Sequence, residues 1–328
     1  MTKSLDVIAI GNALVDVLSH ADDSFLAGHK IPKGSMSLID AAMAEKLYAT
    51  MGPAVEISGG SAANSIAGIA SLGGKAGFIG KVAKDQLGQI FRHDITSLGV
   101  EFTTAPAAQG GKPTGRCLVF VTPDAQRTMQ TFLGSAGDVG PDDIDAEQIK
   151  RAQITYLEGY LWDTPLAKKA YIKAAEIAHK AKRKTALTLS DKFCVDRHRA
   201  DFIDLVHGHI DILFANEQEI IALYEARNFD AAVEAVRGKC EIAVLTRSEK
   251  GAVIVTKSDT VTVKAQPCAK IVDTTGAGDL FAAGFLFGLT RKLPMAECGR
   301  IAAICAAEII SHVGARPEVS LAKLAGLS

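Results

Sequence analysis

The run Asp273-Thr274-Thr275-Gly276-Ala277-Gly278-Asp279 has the residue types and spacing with the clearest chemical potential in this chain. It predicts a tight glycine turn that opens an apolar helix, with Asp279 in the first helical turn. Backbone N–H groups at a helix start have no intrahelical partner and attract anions such as phosphate. A carboxylate beside such a site is suited to take a proton from a substrate hydroxyl. The run therefore favours phosphoryl transfer to an alcohol; the alternative is an acid that only caps a buried helix.

Short β-branched runs alternate with helical patterns along the chain, which predicts βαβ units and a parallel sheet. The predicted strands cover residues 7–10, 154–157, 186–189, 210–214, 242–246 and 269–272. Ligands of such sheets bind beyond the carboxyl ends of the strands. Polar groups follow four of these strands, namely Asn12 with Asp16, Asn216 with Glu219, Thr246 with Arg247, and the run that ends at Asp279. We expect them to meet at one site, although each taken singly is also explained as a turn, cap or surface residue.

A second glycine cluster, Gly59-Gly60-Ser61-Ala62-Ala63-Asn64-Ser65, precedes an Ala/Ile/Gly helix. Glycine lets the backbone approach a ligand closely, and Ser61 and Asn64 carry groups that bond sugar hydroxyls. The cluster therefore predicts a site for a polyol. The alternative is that Ser61 caps a closely packed helix.

The remaining segments predict one α/β domain over residues 1–328, with a small β-sheet lid inserted in it at approximately residues 13–40 and 99–130. The predicted lid strands are 14–20, 35–39, 100–103 and 117–122. Residues 252–255 and 260–263 predict a late hairpin at the edge of the main sheet. A long helix is predicted over 167–184.

Composition excludes several classes of partner. The 36 Lys and Arg residues balance 37 Asp and Glu, and a net charge of -1 gives no general attraction to nucleic acid or anionic lipid. The six cysteines are scattered without metal-ligand spacing, which predicts reduced thiols in a cytoplasmic protein. The apolar segment at residues 7–10 is too short for a signal peptide, and that at 280–289 is too short for a membrane span.

Two common nucleotide-binding motifs are also absent from the sequence. The segment from Gly276 has Phe281 where the third glycine of a dinucleotide fingerprint would stand. The Gly80-Lys81-Val82 segment lacks the upstream glycine and the Ser or Thr of a Walker A loop. A nicotinamide-dependent enzyme and a P-loop NTPase are therefore disfavoured.

Three motifs together resemble the ribokinase-like (PfkB) carbohydrate kinases. They are the Gly59-Gly60 pair with Asn64, the Asn216-x-x-Glu219 pair and the closing Asp273–Asp279 run, and they occur in the family order. The resemblance covers nearly the whole chain and implies a three-layer α/β/α domain with a central, mainly parallel sheet and a small lid. Within the family, segments 11–16, 60–65, 113–117 and 211–217 look most similar to adenosine kinases. Thr275, common in the ribokinase branch, leaves the substrate branch open.

The resemblance implies ATP and Mg²⁺ as cofactors, a monovalent cation such as K⁺, and a role for each matching residue. Asp279 would be the base, and backbone N–H groups of Gly276, Ala277 and Gly278 would hold the transferred phosphate. The remaining implied residues are Asn12, Asp16, Gly60, Ser61, Asn64 and Arg127 for the acceptor and its phosphate, Asn216, Thr246, Gly251, Gly276 and Gly278 for ATP, Asn216 and Glu219 for Mg²⁺ through water, and Asp273 for the monovalent cation.

The expected reaction is ATP-dependent phosphorylation of the 5′-hydroxyl of adenosine to AMP, a step of purine salvage. A free sugar such as ribose is the alternative acceptor, and a non-catalytic nucleoside or sugar sensor is a third possibility. The sequence predicts a monomer or a homodimer without deciding between them.

Overall fold

The computed structural model describes residues 4–124 and 126–327. Its strands are β1 (Leu5–Ile10), β2 (Leu14–His20), β3 (Met36–Leu38), β4 (Ala54–Gly59), β5 (Ala76–Ile79), β6 (Gly115–Val121), β7 (Arg127–Phe132), β8 (Ala152–Glu158), β9 (Lys184–Thr188), β10 (Ile212–Asn216), β11 (Ile242–Thr246), β12 (Ala252–Thr256) and β13 (Thr260–Val263). Its helices are α1 (Asp23–Gly28), α2 (Ala41–Thr50), α3 (Ser61–Ser71), α4 (Gln86–Ser97), α5 (Ala146–Arg151), α6 (Pro165–Lys180), α7 (Lys192–Gly208), α8 (Glu217–Tyr224), α9 (Phe229–Val236), α10 (Ala277–Thr290), α11 (Met295–Ile309) and α12 (Leu321–Leu324).

The larger sheet has the strand order β13-β12-β11-β10-β9-β8-β1-β5. The strands β5, β1, β8, β9, β10 and β11 run parallel to one another. Strands β12 and β13 form an antiparallel hairpin at the edge of the sheet, as the sequence predicted. Side chains alternate between the two faces of each strand. Val7 and Ala9 of β1 accordingly pack with α3, α10 and α11, whereas Ile8 and Ile10 pack with α5, α6 and α7 on the other face. This three-layer α/β/α arrangement confirms the predicted fold class.

A second sheet of five strands, in the order β3-β7-β6-β2-β4, stands beside the large one. One face carries Val17, Leu118 and Phe120, which pack with Leu26 of α1 and Leu47 of α2. Only three residues separate the end of β1 from the start of β2, so the chain passes directly from one sheet to the other. The two helices cover the outer face of the small sheet, which leaves its other face toward the large sheet.

Two predicted strands are absent. Residues 100–103 do not join the small sheet: only Glu101 forms a bridge, and it pairs in parallel with Gly77 at the edge of the large sheet. Residues 269–272 are irregular, because Val272 donates its N–H to the carbonyl of Ile310 in a loop rather than to a strand. The long helix ends at Lys180, since Lys184 already belongs to β9.

The apolar helix predicted after the Asp273–Asp279 run is α10, and ten of its residues are buried between α3, α11 and the sheet. The glycines Gly68 and Gly284 permit this packing, because a methyl group on either would overlap a neighbouring helix. Within residues 4–124 and 126–327, the structure contains no helix with the length and apolar character to cross a membrane.

Candidate active site

The carboxyl ends of five parallel strands open into one cavity of about 710 Å³ between the two sheets. Asn12, Glu158, Thr188, Asn216 and Thr246, which lie at or just after the ends of β1, β8, β9, β10 and β11, all line it. The lid contributes the inner face of the small sheet, with Leu14, Asp16, Met36, Leu38, Cys117, Met129 and Thr131. The structure therefore brings together polar groups that are up to 267 residues apart in the chain, from Asn12 to Asp279.

Asp279 lies at the third position of α10 and is half-buried in the lining of this cavity. Its carboxylate accepts hydrogen bonds from Ser61 Oγ at 2.6 Å and Asn64 Nδ2 at 3.0 Å. Burial raises the pKa of Asp279, while these two hydrogen bonds and the positive charge of Arg316 oppose the shift. A carboxylate held in this way is ordered and more basic than one in water, which suits a general base.

The turn before α10 has the conformation that the glycine pattern predicted. Gly276 caps the helix with φ of 79°, in the left-handed region that favours glycine. A methyl group on Gly278 would meet only open space, so the chain is uncrowded where it faces the cavity. The N–H of Ala277 donates to the carbonyl of Thr274 at 3.2 Å and is partly engaged by the turn itself. An anion at this point would contact a helix N-terminus.

Glu158 is a site residue that the sequence reasoning missed. It ends β8, is 1% exposed, and accepts hydrogen bonds from the backbone N–H of Asn12 (3.2 Å), from Asn12 Nδ2 (2.6 Å) and from the N–H of Ala62 (2.8 Å). It thereby ties the end of β1 to the start of α3. The Oδ1 atom of Asn12 is buried without a partner among the described residues. The sequence signal was a lone acid directly after the predicted strand at residues 154–157.

We expect the stability of the ligand-free protein to fall as the pH rises from about 5 to about 7. Burial raises the pKa of Glu158 from 4.5 to about 7, so the folded state binds a proton that the unfolded state releases in this window. The free energy of unfolding lost over this pH range is roughly 3 kcal/mol at most, because each pKa unit corresponds to 1.36 kcal/mol. Urea unfolding at several pH values measures it.

Glu158→Gln is the matched variant for that measurement, because it keeps the size of the side chain and removes the titration. Its unfolding free energy should depend less on pH than that of the wild type, while the other buried carboxylates still contribute. Identical pH slopes for the two proteins would show that Glu158 is ionised in both states.

Asp16 and Arg316 form an electrostatic group beside Asp279. Asp16 lies on β2 and lines the cavity, and burial raises its pKa to about 6 despite the nearby charges of Arg316 and Arg127. Arg316 donates from Nε to the carbonyl of Ser58 at 3.0 Å and from Nη1 to that of Ala63 at 2.6 Å. It thus fixes both sides of the glycine turn from a loop near the C-terminus. Nothing in its sequence context indicated this position.

Glycine is required at both positions before α3, because neighbouring atoms lie too close to leave room for a side chain. A methyl group on Gly59 would overlap the carboxylate of Asp16, and one on Gly60 would overlap the carbonyl of Asn12. Gly60 also has φ of 95°, which L-residues rarely adopt. The turn therefore holds Asp16 and Asn12 against the start of α3, next to Ser61 and Asn64. Asn64 Oδ1, like Asn12 Oδ1, is buried without a partner among the described residues.

Asp273, predicted as the ligand of a monovalent cation, is already surrounded by donors. Its Oδ1 accepts the N–H of Thr275 at 3.0 Å, and its Oδ2 accepts the N–H of Gly314 at 3.0 Å. Arg127 reaches across from the lid, with Nη2 at 2.5 Å from Oδ2 of Asp273 and Nη1 donating to Thr275 Oγ1 at 3.1 Å. A cation site needs free oxygen ligands, and this donor set does not fit one.

Asn216 and Glu219 form a reciprocal cap at the start of α8. Glu219 accepts from the N–H and the Nδ2 of Asn216 at 2.9 and 2.6 Å, and Asn216 Oδ1 accepts the N–H of Glu219 at 2.9 Å. Glu219 is buried, which raises its pKa to about 7. Both residues line the cavity, and their engaged atoms fit contact through water better than direct ligation of Mg²⁺. The described residues contain no cluster of three or more His, Cys, Asp or Glu side chains suited to a metal.

Thr246 and Gly251, which the sequence also predicted for ATP, differ in their position relative to the cavity. Thr246 ends β11 and lines the cavity. Gly251 has φ of 83° and forms the turn into β12, where a methyl group would overlap the carbonyl of Val263. The structure gives Gly251 a clear role in that turn, and the lining of the cavity is formed by other residues.

Comparison with known proteins agrees with this architecture. The model of the pfkB family carbohydrate kinases matches residues 37–321. The solved structure of adenosine kinase from Sinorhizobium meliloti is 51% identical, with a TM-score of 0.94 over 98% of this chain and 99% of that chain. A probable sugar kinase from Rhizobium etli CFN 42 is 47% identical, with a TM-score of 0.94 over 100% of both chains.

A curated relative, the adenosine kinase of Saccharomyces cerevisiae, is 26% identical over 87% of this chain and 88% of that protein. The family match spans most of the chain and includes both glycine motifs and the Asn216–Glu219 pair. The chain therefore belongs to the pfkB family of carbohydrate kinases and is a phosphotransferase.

Proposed function

We propose that this enzyme transfers the γ-phosphate of ATP to the 5′-hydroxyl of adenosine, giving AMP and ADP. The observation that carries the proposal is the cavity, which joins a half-buried acid at a helix N-terminus to polar groups suited to ribose and to an apolar wall suited to a base. The 51% identity to an adenosine kinase over almost the whole chain supports the same acceptor.

The wall of the cavity beside the sugar-binding groups is largely apolar. Leu14, Met36, Leu38, Met129 and Leu133 come from the lid side of the cavity. Phe193 lies at the rim, and 70% of its surface is exposed. An exposed aromatic ring at a cavity mouth offers a face on which a purine can stack. A free sugar has no planar base to stack on this ring.

In the proposed mechanism, Asp279 accepts the proton of the acceptor hydroxyl as that oxygen attacks the γ-phosphorus. Ser61 and Asn64 hold the Asp279 carboxylate in place through their hydrogen bonds. The N–H groups of Gly276 and Gly278, together with that of Ala277, which also donates to Thr274, would bind the phosphoryl oxygens at the start of α10 and stabilise the charge that develops there. Asn12, Asp16 and Gly60 position the ribose. Asn216 and Glu219 would hold Mg²⁺ through water, and the ion would supply neutralisation of the phosphate charge.

A free sugar such as ribose is the second candidate acceptor. The 47% identity to a probable sugar kinase and the presence of Thr275 favour it. The two candidates share the phosphoryl-transfer machinery and differ only in whether the apolar wall is used. A sensor that binds without turnover is a third candidate, and the presence of Asp279 at the start of α10 argues against it.

The proposal is tested by ADP release from ATP with a panel of acceptors that includes adenosine, other nucleosides and ribose. We expect adenosine to give the highest kcat/KM. A preference for ribose would assign the enzyme to the sugar kinases, and tight adenosine binding without ADP release would assign it to the sensors.

Phe193→Ala should raise the KM for adenosine by about 5- to 150-fold, since stacking a base on an aromatic ring contributes roughly 1–3 kcal/mol. The same substitution should leave the slower reaction with ribose unchanged. Leu98→Ala is the matched control, because Leu98 is also an exposed apolar residue but lies outside the cavity. Equal effects of Phe193→Ala on both acceptors would place the base elsewhere.

The proposal also covers the cellular location and the partners of the enzyme. Its six cysteines are free thiols, and ATP is an intracellular substrate, so we propose a cytoplasmic enzyme of purine salvage. Its partners would be small molecules, with no role for nucleic acid or a membrane, and it would act as a monomer or a homodimer.

We also propose that residues 1–328 form one kinase domain whose lid is the five-stranded sheet, which extends the predicted lid segments to β4 and β7.

A further inference from the structure

We infer that the guanidinium of Arg127 is the resident cation of this phosphotransfer site and makes a monovalent metal ion unnecessary. Arg127 begins β7 of the small sheet, and Asp273 lies in the loop before α10. Their side chains are 10% and 4% exposed, so the ion pair between them is largely buried. The inference rests on the phosphotransferase activity of the family and not on the identity of the acceptor.

The first argument is the coordination of Asp273. Both of its carboxylate oxygens are engaged by backbone N–H groups, and Oδ2 also faces the guanidinium of Arg127. A buried carboxylate requires a compensating positive charge, and Arg127 supplies it. A second cation at the same oxygen would have to displace the guanidinium or bear its repulsion in a poorly screened environment.

The second argument is the state of the carbonyl oxygens nearby, which a hard monovalent cation would need as additional ligands. The carbonyl of Ile310 accepts the N–H groups of Val272 and Asp273 at 2.8 and 3.3 Å. The carbonyl of Thr274 accepts the N–H of Ala277 at 3.2 Å. These oxygens already serve the turn that shapes the helix N-terminus.

The third argument is the fit of arginine itself. Its planar fork reaches two acceptors at once, Oδ2 of Asp273 and Oγ1 of Thr275. The contact with Asp273 is an ion pair whose angle departs from a linear hydrogen bond, whereas the one with Thr275 is a regular hydrogen bond. Thr275 directly precedes Gly276, so the positive charge lies next to the proposed phosphate turn. Arginine remains charged at any working pH.

The test compares KCl with tetramethylammonium chloride at equal ionic strength. For the wild type, the rate of ADP formation and the Tm should be the same in both salts. Arg127→Gln removes the charge, so we expect its rate in tetramethylammonium to fall by about tenfold or more and K⁺ to restore part of it. K⁺ should also raise the Tm of Arg127→Gln by a few degrees through binding to the folded state.

Arg127→Lys keeps one positive charge and should remain independent of K⁺, which separates the charge from the shape of the side chain. A wild-type rate or Tm that K⁺ increases as strongly as it does in Arg127→Gln would overturn the inference. The Tm measurements need no acceptor, so a wrong choice of acceptor leaves this test intact. The wild-type comparison also holds if a variant fails to fold.

Discussion

Replacing Asp279 with Asn should lower kcat by roughly 10²- to 10⁴-fold, the usual effect of removing a general base. The change leaves the shape of the side chain in place, and Ser61 can still donate to the remaining oxygen. The KM for the acceptor should therefore change little. Steady-state kinetics with ATP and adenosine give both quantities, and equilibrium binding of adenosine gives the affinity independently.

The alternative role for Asp279, as a simple cap of α10, predicts a different result. Loss of a cap lowers stability by about 1 kcal/mol and leaves the chemical step unchanged. Asp230→Asn provides the matched control, since Asp230 is an exposed acid in the first turn of α9. Turnover of Asp279→Asn close to that of Asp230→Asn would exclude Asp279 as the base.

Replacing Asp16 with Ala should raise the KM for the acceptor by roughly 10- to 150-fold, since a hydrogen bond to a charged group contributes about 1.5–3 kcal/mol. Asp16 projects from the lid strand β2 into the cavity and is fixed against Gly59. The ordered carboxylate offers two acceptor oxygens to the hydroxyls of a sugar. Initial rates over a range of adenosine concentrations measure the effect.

Asp16→Asn is the companion variant, because it retains one oxygen and loses the charge. It should give a KM between those of the wild type and Asp16→Ala. An unchanged KM in both variants, with normal folding, would place the sugar elsewhere in the cavity. Since Arg316 lies near both Asp16 and Asp279, a loss in kcat as well would indicate that the two carboxylates share its charge.

Sequence patterns predicted the parts of this protein that depend on local chemistry. The glycine turn before Asp279 and the strand ends at Asn12, Asn216 and Thr246 follow from periodicity and from the position of polar groups after apolar runs. The same reasoning placed residues 269–272 in a strand because Ile271 and Val272 are apolar and β-branched. The N–H of Val272 instead donates to the carbonyl of Ile310, a partner that no local pattern indicates.

Residues whose role depends on a distant part of the chain could not be predicted. Arg316 reaches Ser58 and Ala63 only because the C-terminal loop returns to the glycine turn. Glu158 was missed although an acid at the end of an apolar strand is an informative signal. The contact of Arg127 with Asp273 required the lid to be placed on the large sheet, whereas the resemblance alone implied a role for Arg127 at the phosphate.

The order of strands in the large sheet separates the two walls of the cavity along the chain. Asn12, Asp16 and Gly60, which are proposed to position the ribose, lie at the end of β1, on β2 and before α3, whereas the Asn216–Glu219 pair and Thr246 lie at β10 and β11 toward the opposite edge. Phe193, proposed to stack on a base, comes from α7. We therefore expect substitutions at the ribose end of the cavity to change the acceptor while the residues proposed for ATP stay the same.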